Sequence, residues 1–214
     1  ALFGFGEPQA ETVIWSIRLP RVGAAVVLGA ALAAAGASYQ ALFRNPLVSP
    51  DILGVSAGAG LGAVAGIFLS LPVAAIQATA FAGGMGAVGI VMLVAALVRN
   101  TDRTLTLVLI GVVIGALAGA ATSLLKVLAD PYDQLPAITF WLLGSLASVT
   151  TADILPALPA VGLGLVPLVL LRWRINVLSL GDEEARALGI EAGRTRALVI
   201  ASATLITASV TALA

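Results

Sequence analysis

The densest group of ionisable side chains in this 214-residue chain lies toward its carboxyl end, in the stretch LSLGDEEARALGI, Leu178–Ile190. Three carboxylates stand together there, Asp182–Glu184. Ser179 or Asp182 could cap a helix whose first turn then holds both glutamates, which suits the positive end of the helix dipole. Gly189 would end that helix, and a second short helix could follow. Such carboxylates form a solvated face unless a partner protein docks on them.

The amino-acid composition rules out several other kinds of site. The chain contains neither cysteine nor histidine, so disulfides, thiolate chemistry, zinc sites and the usual proton shuttle at neutral pH are excluded. A phosphate-binding G-x-x-x-x-G-K-[ST] loop is also missing. The formal net charge is zero, with 11 basic and 11 acidic residues, which predicts no nucleic-acid partner.

Most of the chain is apolar, so the charged groups must be carried by helices or loops of a largely hydrophobic protein. Hydrophobic residues make up 60% and charged residues 10%, with a mean hydropathy of +1.09, whereas a soluble domain carries about 25% charged residues. A helix needs about 20 apolar residues to cross a membrane. We predict an all-α polytopic membrane protein, a transmembrane bundle with spans near 22–43, 52–70, 73–98, 104–128, 153–172 and 196–214. A large soluble helical core is the alternative, which this many uncharged stretches disfavour.

The basic residues predict an orientation, because cytoplasmic loops of membrane proteins are rich in lysine and arginine. Six alternating spans place Arg18, Arg21 and Lys126 on one side. The other side receives Arg44, Arg99, Arg103, Arg172, Arg174, Arg186, Arg194 and Arg196, and is predicted to be cytoplasmic. Acidic residues on the outer side are Glu7, Glu11, Asp130, Asp133 and Asp153. The first predicted span then runs inward, which implies a preceding span outside this chain.

Glycine recurs at every fourth position on two predicted spans. The positions are Gly54, Gly58, Gly62 and Gly66 on one span and Gly111, Gly115 and Gly119 on another. Such stripes let helix backbones approach closely. We interpret them as packing surfaces, and the lining of a central pathway is the alternative.

One apolar segment, Leu135–Leu146, is too short to cross a membrane. Phe140 and Trp141 within it are residues that favour the membrane interface. Pro131 and Pro136 separate it from the preceding span. We therefore predict a short helix lying at the outer surface.

Several motifs together resemble one transporter family. RLPR, GAALAAAG, QALFRNPL and PDILGVSAGA follow one another between Arg18 and Ala63, and WLLGSL and LSLGDEEARALGI come later. In this order and spacing they resemble the permeases of ATP-binding-cassette importers for iron-siderophores, haem and cobalamin. The resemblance covers essentially all of 1–214 as one permease domain. Family members have ten spans, so the resemblance implies that this fragment holds the second to the seventh, with the first and the last three missing.

The resemblance also implies roles for individual residues. The cytoplasmic segment 175–196 is similar to the family's coupling helices, which sit in a groove of the ATPase. The matching residues are Gly181, Asp182, Glu183, Glu184, Ala185, Arg186, Leu188 and Gly189. Arg18 and Arg21 match arginines that meet acidic residues of the extracellular binding protein, with lipid-headgroup contact as the alternative. Residues expected at the pathway or its cytoplasmic gate are Gln40, Asn45, Ser56, Asn100, Thr104 and Thr106.

The implied protein is a transport subunit and not an enzyme by itself. No charged residue lies well inside a predicted span, so a proton relay is not expected. Energy would come from a separate cytoplasmic ATPase dimer that holds the ATP and Mg, and this chain would bind no cofactor or metal itself.

Two copies, seated in a bacterial or archaeal plasma (inner) membrane, would receive cargo from a periplasmic or lipid-anchored binding protein. An iron-siderophore is the expected cargo. The alternatives are haem, cobalamin, a molybdate-type oxyanion, or a non-transport scaffold or sensor.

Overall fold

The computed structural model describes residues 13–98, 103–147 and 149–213, and every regular element in these ranges is helical. A short π-helical turn, Val13–Arg18, runs directly into the first α-helix. The α-helices are α1 Leu19–Phe43, α2 Val55–Phe68, α3 Val73–Leu97, α4 Arg103–Leu128, α5 Gln134–Leu143, α6 Thr151–Leu170, α7 Arg172–Leu178, α8 Asp182–Ala187 and α9 Ala192–Thr211. A 3-10 turn, Pro50–Leu53, precedes α2. The predicted all-α fold is confirmed.

Proline and left-handed residues set the ends of the early helices. Ser70, at φ 53°, follows the end of α2, and Pro72 is the N-cap of α3, so the predicted break between these two helices is present. Arg44, at φ 51°, ends α1. The backbone N–H of Asn45 donates to the carbonyl oxygen of Gln40 at 3.1 Å, which closes the helix in the manner of a Schellman motif.

Four helices among the described residues are long and apolar enough to cross a membrane: Val13–Phe43, Val73–Leu97, Thr104–Leu128 and Asp153–Leu170. The first begins earlier than predicted because the π-helical turn Val13–Arg18 runs directly into α1. Pro20 does not interrupt it, since it falls in the first turn of α1, where proline is tolerated. The other two predicted spans correspond to α2 and α9. With 14 residues, α2 reaches only about 21 Å. The 20 residues of α9 would suffice in length, but this helix is too polar to meet the same criterion.

Helix α9 is the centre of the bundle. It contacts α1, α2, α3 and α6 along its length, and α7 and α8 near its start. Of its 20 residues, 13 are buried. Its Thr204 hydroxyl lies 3.2 Å from the Tyr39 hydroxyl of α1, and the Thr207 hydroxyl donates to the carbonyl oxygen of Ala203 at 2.8 Å. Because these polar groups find partners inside the bundle, α9 tolerates a polarity that a lipid-facing helix would not.

Glycines allow α2 and α3 to pack backbone against backbone. A Cβ added at Gly58 would lie 2.5 Å from the carbonyl oxygen of Gly83, and one added at Gly62 would overlap the carbonyl group of Thr79. These contacts support the packing interpretation for this stripe. On α4, Gly111 likewise lies against the backbone of Ile52, where an added Cβ would come within 2.5 Å of the carbonyl oxygen. A Cβ at Gly119, the last glycine of the α4 stripe, would meet no atom within 4 Å, so that position is open.

The predicted short helix is present as α5, although it ends at Leu143, before the predicted Leu146. The Gln134 side-chain amide donates to the carbonyl oxygen of Phe68 at the end of α2, at 2.9 Å. Ile138 is completely buried, whereas Phe140 is 75% exposed. One face of α5 therefore seals the end of α2, and the other faces away from the bundle.

The long helices alternate in direction and so divide the loops between two ends of the bundle. One end, here the arginine-rich end, holds the turn around 44–54, the end of α3, the start of α4 and the segment 171–191, and its cavity brings Met92 of α3, Leu107 of α4 and Arg196 of α9 together. The opposite end holds 69–72, 129–147 and the end of α9. There Gln77, Asp153 and Ser209 line a common cavity.

Candidate functional site

Helix α8 and its flanking turns form the candidate coupling segment at the arginine-rich end. The helix lies on α7 and touches the start of α9. Ala185 is completely buried and anchors its inner face, whereas Glu183, Glu184 and Arg186 are exposed. Leu188, just beyond the helix, exposes 55% of its surface. The outward face therefore combines two carboxylates, a guanidinium and a leucine, a mixture suited to a protein partner.

Two glycines hold the turns at either end of α8. Gly181 is buried at φ 146° and Gly189 lies at φ 76°, both in backbone conformations that L side chains rarely adopt. After Gly189 the backbone N–H of Ile190 donates to the carbonyl oxygen of Ala185 at 2.9 Å. The predicted stop at Gly189 is thus confirmed. A Cβ on Gly181 would lie 3.6 Å from a guanidinium nitrogen of Arg44, so the turn into α8 lies against the end of α1.

The predicted capping of this helix is wrong. Gly181 occupies the N-cap position, with no side-chain cap. The Ser179 hydroxyl donates instead to the carbonyl oxygen of Asn176 at 2.6 Å, and Asp182 is the first helical residue. The suggested second short helix is also not found, because α9 begins at Ala192, directly after the turn.

Asp182 is held by an arginine of the central helix. Nη2 of Arg196 lies 2.9 Å from Oδ1 of Asp182, and Nη1 donates to Oδ2 at 3.4 Å. The Arg196 side chain is 7% exposed and that of Asp182 is 34% exposed. This two-pronged geometry fixes the orientation of both side chains.

The two candidate docking arginines lie within helical turns at the start of α1 rather than in a loop that precedes it. Arg18 ends the π-helical turn and Arg21 falls in the first turn of α1. Both are exposed, and both belong to the end of the bundle opposite α8. The structure therefore separates the two candidate partner surfaces by the length of α1.

Two of the predicted pathway or gate residues lie where α1 ends. Gln40 and Asn45 are exposed there. The Asn45 carboxamide accepts a hydrogen bond from the backbone N–H of Leu47 at 2.9 Å, which gives this side chain a local structural role in the turn.

The remaining gate residues lie at the starts of two neighbouring helices. Ser56 is half-buried in the first turn of α2, and its backbone N–H donates to the Asp51 carboxylate at 2.7 Å. Thr104 and Thr106 are half-buried in the first turn of α4. Asn100 lies outside the described residues, as does Arg99.

Two further cavities lie at the opposite end. One of about 260 Å³ is an open cleft bordered by α3, α6 and α9, and one of about 480 Å³ lies beside α5, with Gln77 lining both. At the mouth of the smaller cavity the Asp153 carboxylate accepts bonds from the Thr150 hydroxyl, at 2.7 Å, and from its backbone N–H, at 2.9 Å. Across 13–98, 103–147 and 149–213, no group of three or more histidine, cysteine or acidic residues could hold a metal ion.

The sequence matches the FecCD transport family over residues 1–214. The chain belongs to this family. Members similar to it are permease subunits, so the expectation that the chain is a transport subunit and not an enzyme is confirmed. The bundle is accordingly that of a FecCD-family chain.

Known proteins similar to this FecCD-family chain include the cobalamin import system permease protein BtuC of Halobacterium salinarum, 41% identical over 96% of this chain and 55% of that protein. The molybdate import system permease protein MolB of Haemophilus influenzae is 37% identical over 91% of this chain and 57% of that protein. The ferric enterobactin permease protein FepG of Escherichia coli is 38% identical over 100% of this chain and 64% of that protein.

A solved inward-facing conformation of an ABC transporter assigned to the metal-chelate type has the same fold. The TM-score is 0.88 at 34% identity, and the match covers 96% of this chain and 65% of that one. The chain thus spans a little over half the length of the curated relatives it matches.

Arg196 is the residue that sequence reasoning missed. It was counted among the cytoplasmic arginines and given no role of its own. One signal was present: Arg196 shares a helical face with Ile200, Ala203 and Thr207, all buried. Arg194, two residues earlier, falls on the solvent side instead and is exposed.

Proposed function

We propose that this chain is the pathway-forming part of the permease of an ATP-driven importer whose cargo is a metal chelate, most specifically an iron-siderophore. The observation that carries the proposal is the match to the FecCD transport family along the whole chain. The likeness in fold to an ABC transporter of the metal-chelate type supports it independently. Residues 1–214 then act as one permease domain in a multi-pass protein of a bacterial inner membrane.

The geometry of α8 supports an ATPase as the energy source. A coupling element must be anchored to the bundle on one face and open to a partner on the other. Ala185 supplies the anchored face, and Glu183, Glu184, Arg186 and Leu188 the open one. We propose that, within the coupling segment 175–196, residues 181–189 dock on a cytoplasmic ATPase dimer that binds ATP and Mg, and that this chain holds neither.

At the opposite end, we propose that Arg18 and Arg21 receive acidic residues of a substrate-binding protein. Their exposure and their position away from the other arginines support this. Exposed charges act mainly on the association rate and its salt dependence. The test is the rate at which the binding protein associates with an Arg18→Glu/Arg21→Glu variant, at low and at high salt. If that rate matches the parent at both salts, lipid-headgroup contact is the role of the two arginines instead.

Two copies are proposed to flank one central pathway. The pathway or its cytoplasmic gate would be lined by six polar residues: Gln40, Asn45, Ser56, Asn100, Thr104 and Thr106. Alanine substitutions at these positions that leave uptake unchanged would remove them from the gate.

The cargo is the finer part of the proposal. Relatives of 37–41% identity have printed names that include cobalamin, molybdate and ferric enterobactin, and a hemin permease of Yersinia pestis is 40% identical over 92% of this chain. Family membership alone therefore leaves several chelates as candidates. Cobalamin is the second candidate, because the 41% identical relative carries that name.

The test uses the full-length protein with its genomically adjacent ATPase and binding protein in lipid vesicles. ATP-dependent uptake is measured for ferric enterobactin, hemin, cobalamin and molybdate. We expect the ATPase to copurify and ferric enterobactin to accumulate. Uptake of another probe instead would overturn the siderophore assignment but keep the importer. If the ATPase does not copurify and no probe is taken up, the importer assignment is overturned.

A further inference from the structure

One ion pair at the arginine-rich end joins two helices. Among the residues that the structure describes, two ion pairs form. Arg194 and Glu191 pair at 3.2 Å, but they are three residues apart and mostly exposed, at 82% and 64%, so this pair links nothing distant. Arg196 and Asp182, in contrast, connect the second turn of α9 to the first residue of α8.

The chemistry of this pair suits a fixed connection between α8 and α9. A guanidinium bound through two nitrogens to both carboxylate oxygens constrains angle as well as distance. With 7% of the Arg196 side chain exposed, solvent has little room to replace the carboxylate. Packing of the buried methyl of Ala185, in contrast, is non-directional. The ion pair therefore sets the relation of α8 to α9 more tightly than the packing does.

The burial of Arg196 is costly, which argues against a role in stability alone. Its Nε is buried and has no hydrogen-bond partner among the described residues. A cavity of about 40 Å³ lies beside the side chain, bordered by Met92, Leu107 and Gly193. Buried ion pairs are weak contributors to stability, and their best-attested use is to fix a register or a switch. The buried arginine points to such a use here.

We propose that the Arg196–Asp182 pair is the link that passes movement of α8 to α9 during transport. This rests on the proposed function, in which an ATPase moves the coupling segment. Helix α9 contacts α1, α2, α3 and α6, so a displacement at its start reaches most of the bundle through continuous packing. Arg196 and Asp182 are positioning residues in this scheme, because neither touches the cargo.

The test is the ratio of probe imported to ATP hydrolysed, in vesicles holding the full-length permease, its ATPase and its binding protein. The main variant is Asp182→Asn/Arg196→Gln, which removes both charges together and leaves no unpaired buried charge. Arg196→Lys keeps the charge but loses the fork. The matched control is Glu191→Gln/Arg194→Gln, which neutralises the neighbouring exposed pair. ATPase retention and the amount of folded permease are measured for every variant.

We expect the Asp182→Asn/Arg196→Gln variant to lower the ratio by about 5-fold or more, the lower end of the usual range for coupling between sites. ATPase retention should match the parent, Arg196→Lys should fall between, and the control should keep the parental ratio. A parental ratio in the doubly neutral variant would overturn the inference. The inference is also overturned if the ratio falls only in proportion to a loss of ATPase retention or a loss of folded permease. A parent that imports no probe would overturn the proposed function, and the inference with it.

Discussion

At Gly62, helix α2 lies so close to α3 that an added Cβ would overlap the carbonyl group of Thr79. The overlapping atom belongs to backbone, which cannot rotate away as the tip of a side chain can. Close approach of this kind stabilises helix pairs in membranes, where the hydrophobic effect does not drive helices together. The contact therefore depends on the absence of a side chain at this position.

We expect Gly62→Ala to lower the free energy of unfolding by about 1–3 kcal/mol, the range for overpacking a well-packed interior. The matched control is Gly119→Ala on α4, where a Cβ would meet nothing within 4 Å. Alanine is a better helix former than glycine, so the control should be as stable as the parent. The measurement is thermal or denaturant unfolding of the purified protein in detergent micelles. Equal midpoints for Gly62→Ala and the parent would show that α2 and α3 can separate without cost.

Helix α8 has only six residues, too few to be stable by itself. It persists because tertiary contacts hold it: Ala185 in the core, Asp182 on Arg196, and glycine turns at both ends. A short element held in this way moves with its surroundings as a unit. The same contacts leave Glu183 and Glu184 facing outward, available to a partner.

Replacing both glutamates by lysine in the full-length protein should therefore weaken ATPase binding without unfolding the bundle. Exposed ion pairs contribute about 0.2–1 kcal/mol each, so losing two predicts binding about 2- to 30-fold weaker. The measurement is the affinity of the ATPase for the permease in detergent at low ionic strength. Glu191→Lys, a charge reversal outside α8, is the control. If Glu183→Lys/Glu184→Lys retains the ATPase as the parent does and uptake is undiminished, α8 is not the docking element.

The whole molecule is a bundle with two chemically different ends. Six arginines whose side chains the structure describes gather at one end: Arg44, Arg172, Arg174, Arg186, Arg194 and Arg196. Arg18, Arg21 and Lys126 lie at the other. The positive-inside tendency predicts that the arginine-rich end faces the cytoplasm. This orientation also puts the proposed ATPase surface and the proposed binding-protein surface on the required sides.

Single-cysteine labelling can check this orientation, because the chain contains no cysteine. Leu188 and Tyr132, which are 55% and 87% exposed at opposite ends, are suitable sites. An impermeant maleimide should label Tyr132→Cys in cells whose outer barrier alone is opened, and Leu188→Cys only after the inner membrane is permeabilised. Ile138→Cys, at a fully buried position, should stay unlabelled in both cases. The reverse pattern for the first two variants would invert the topology.

Much of this organisation was predictable from local pattern. Uncharged runs of span length identify the long helices, because a lipid environment excludes charge and rewards apolar length. The break at Pro72 and the stop at Gly189 follow from what those residues do to a backbone. For the acidic segment Asp182–Glu184, composition alone favours a solvated face. Its role as a surface for a partner comes from the resemblance to the family's coupling helices and stays a prediction.

Other features depended on long-range packing that no local pattern encodes. Two similar glycine stripes differ in the fold, since the α2 stripe meets α3 while Gly119 meets nothing. The central place of α9 follows from its contacts with six other helices, and the contact with α1 supplies the Tyr39 hydroxyl that partners the buried Thr204. Arg196 and Asp182 are 14 residues apart, and they pair only because the turn at Gly189 folds α8 back against the start of α9. Composition and periodicity thus determined the membrane class and the helices, whereas the pairing of side chains on different helices required the tertiary structure, because it depends on where the packed backbones bring them.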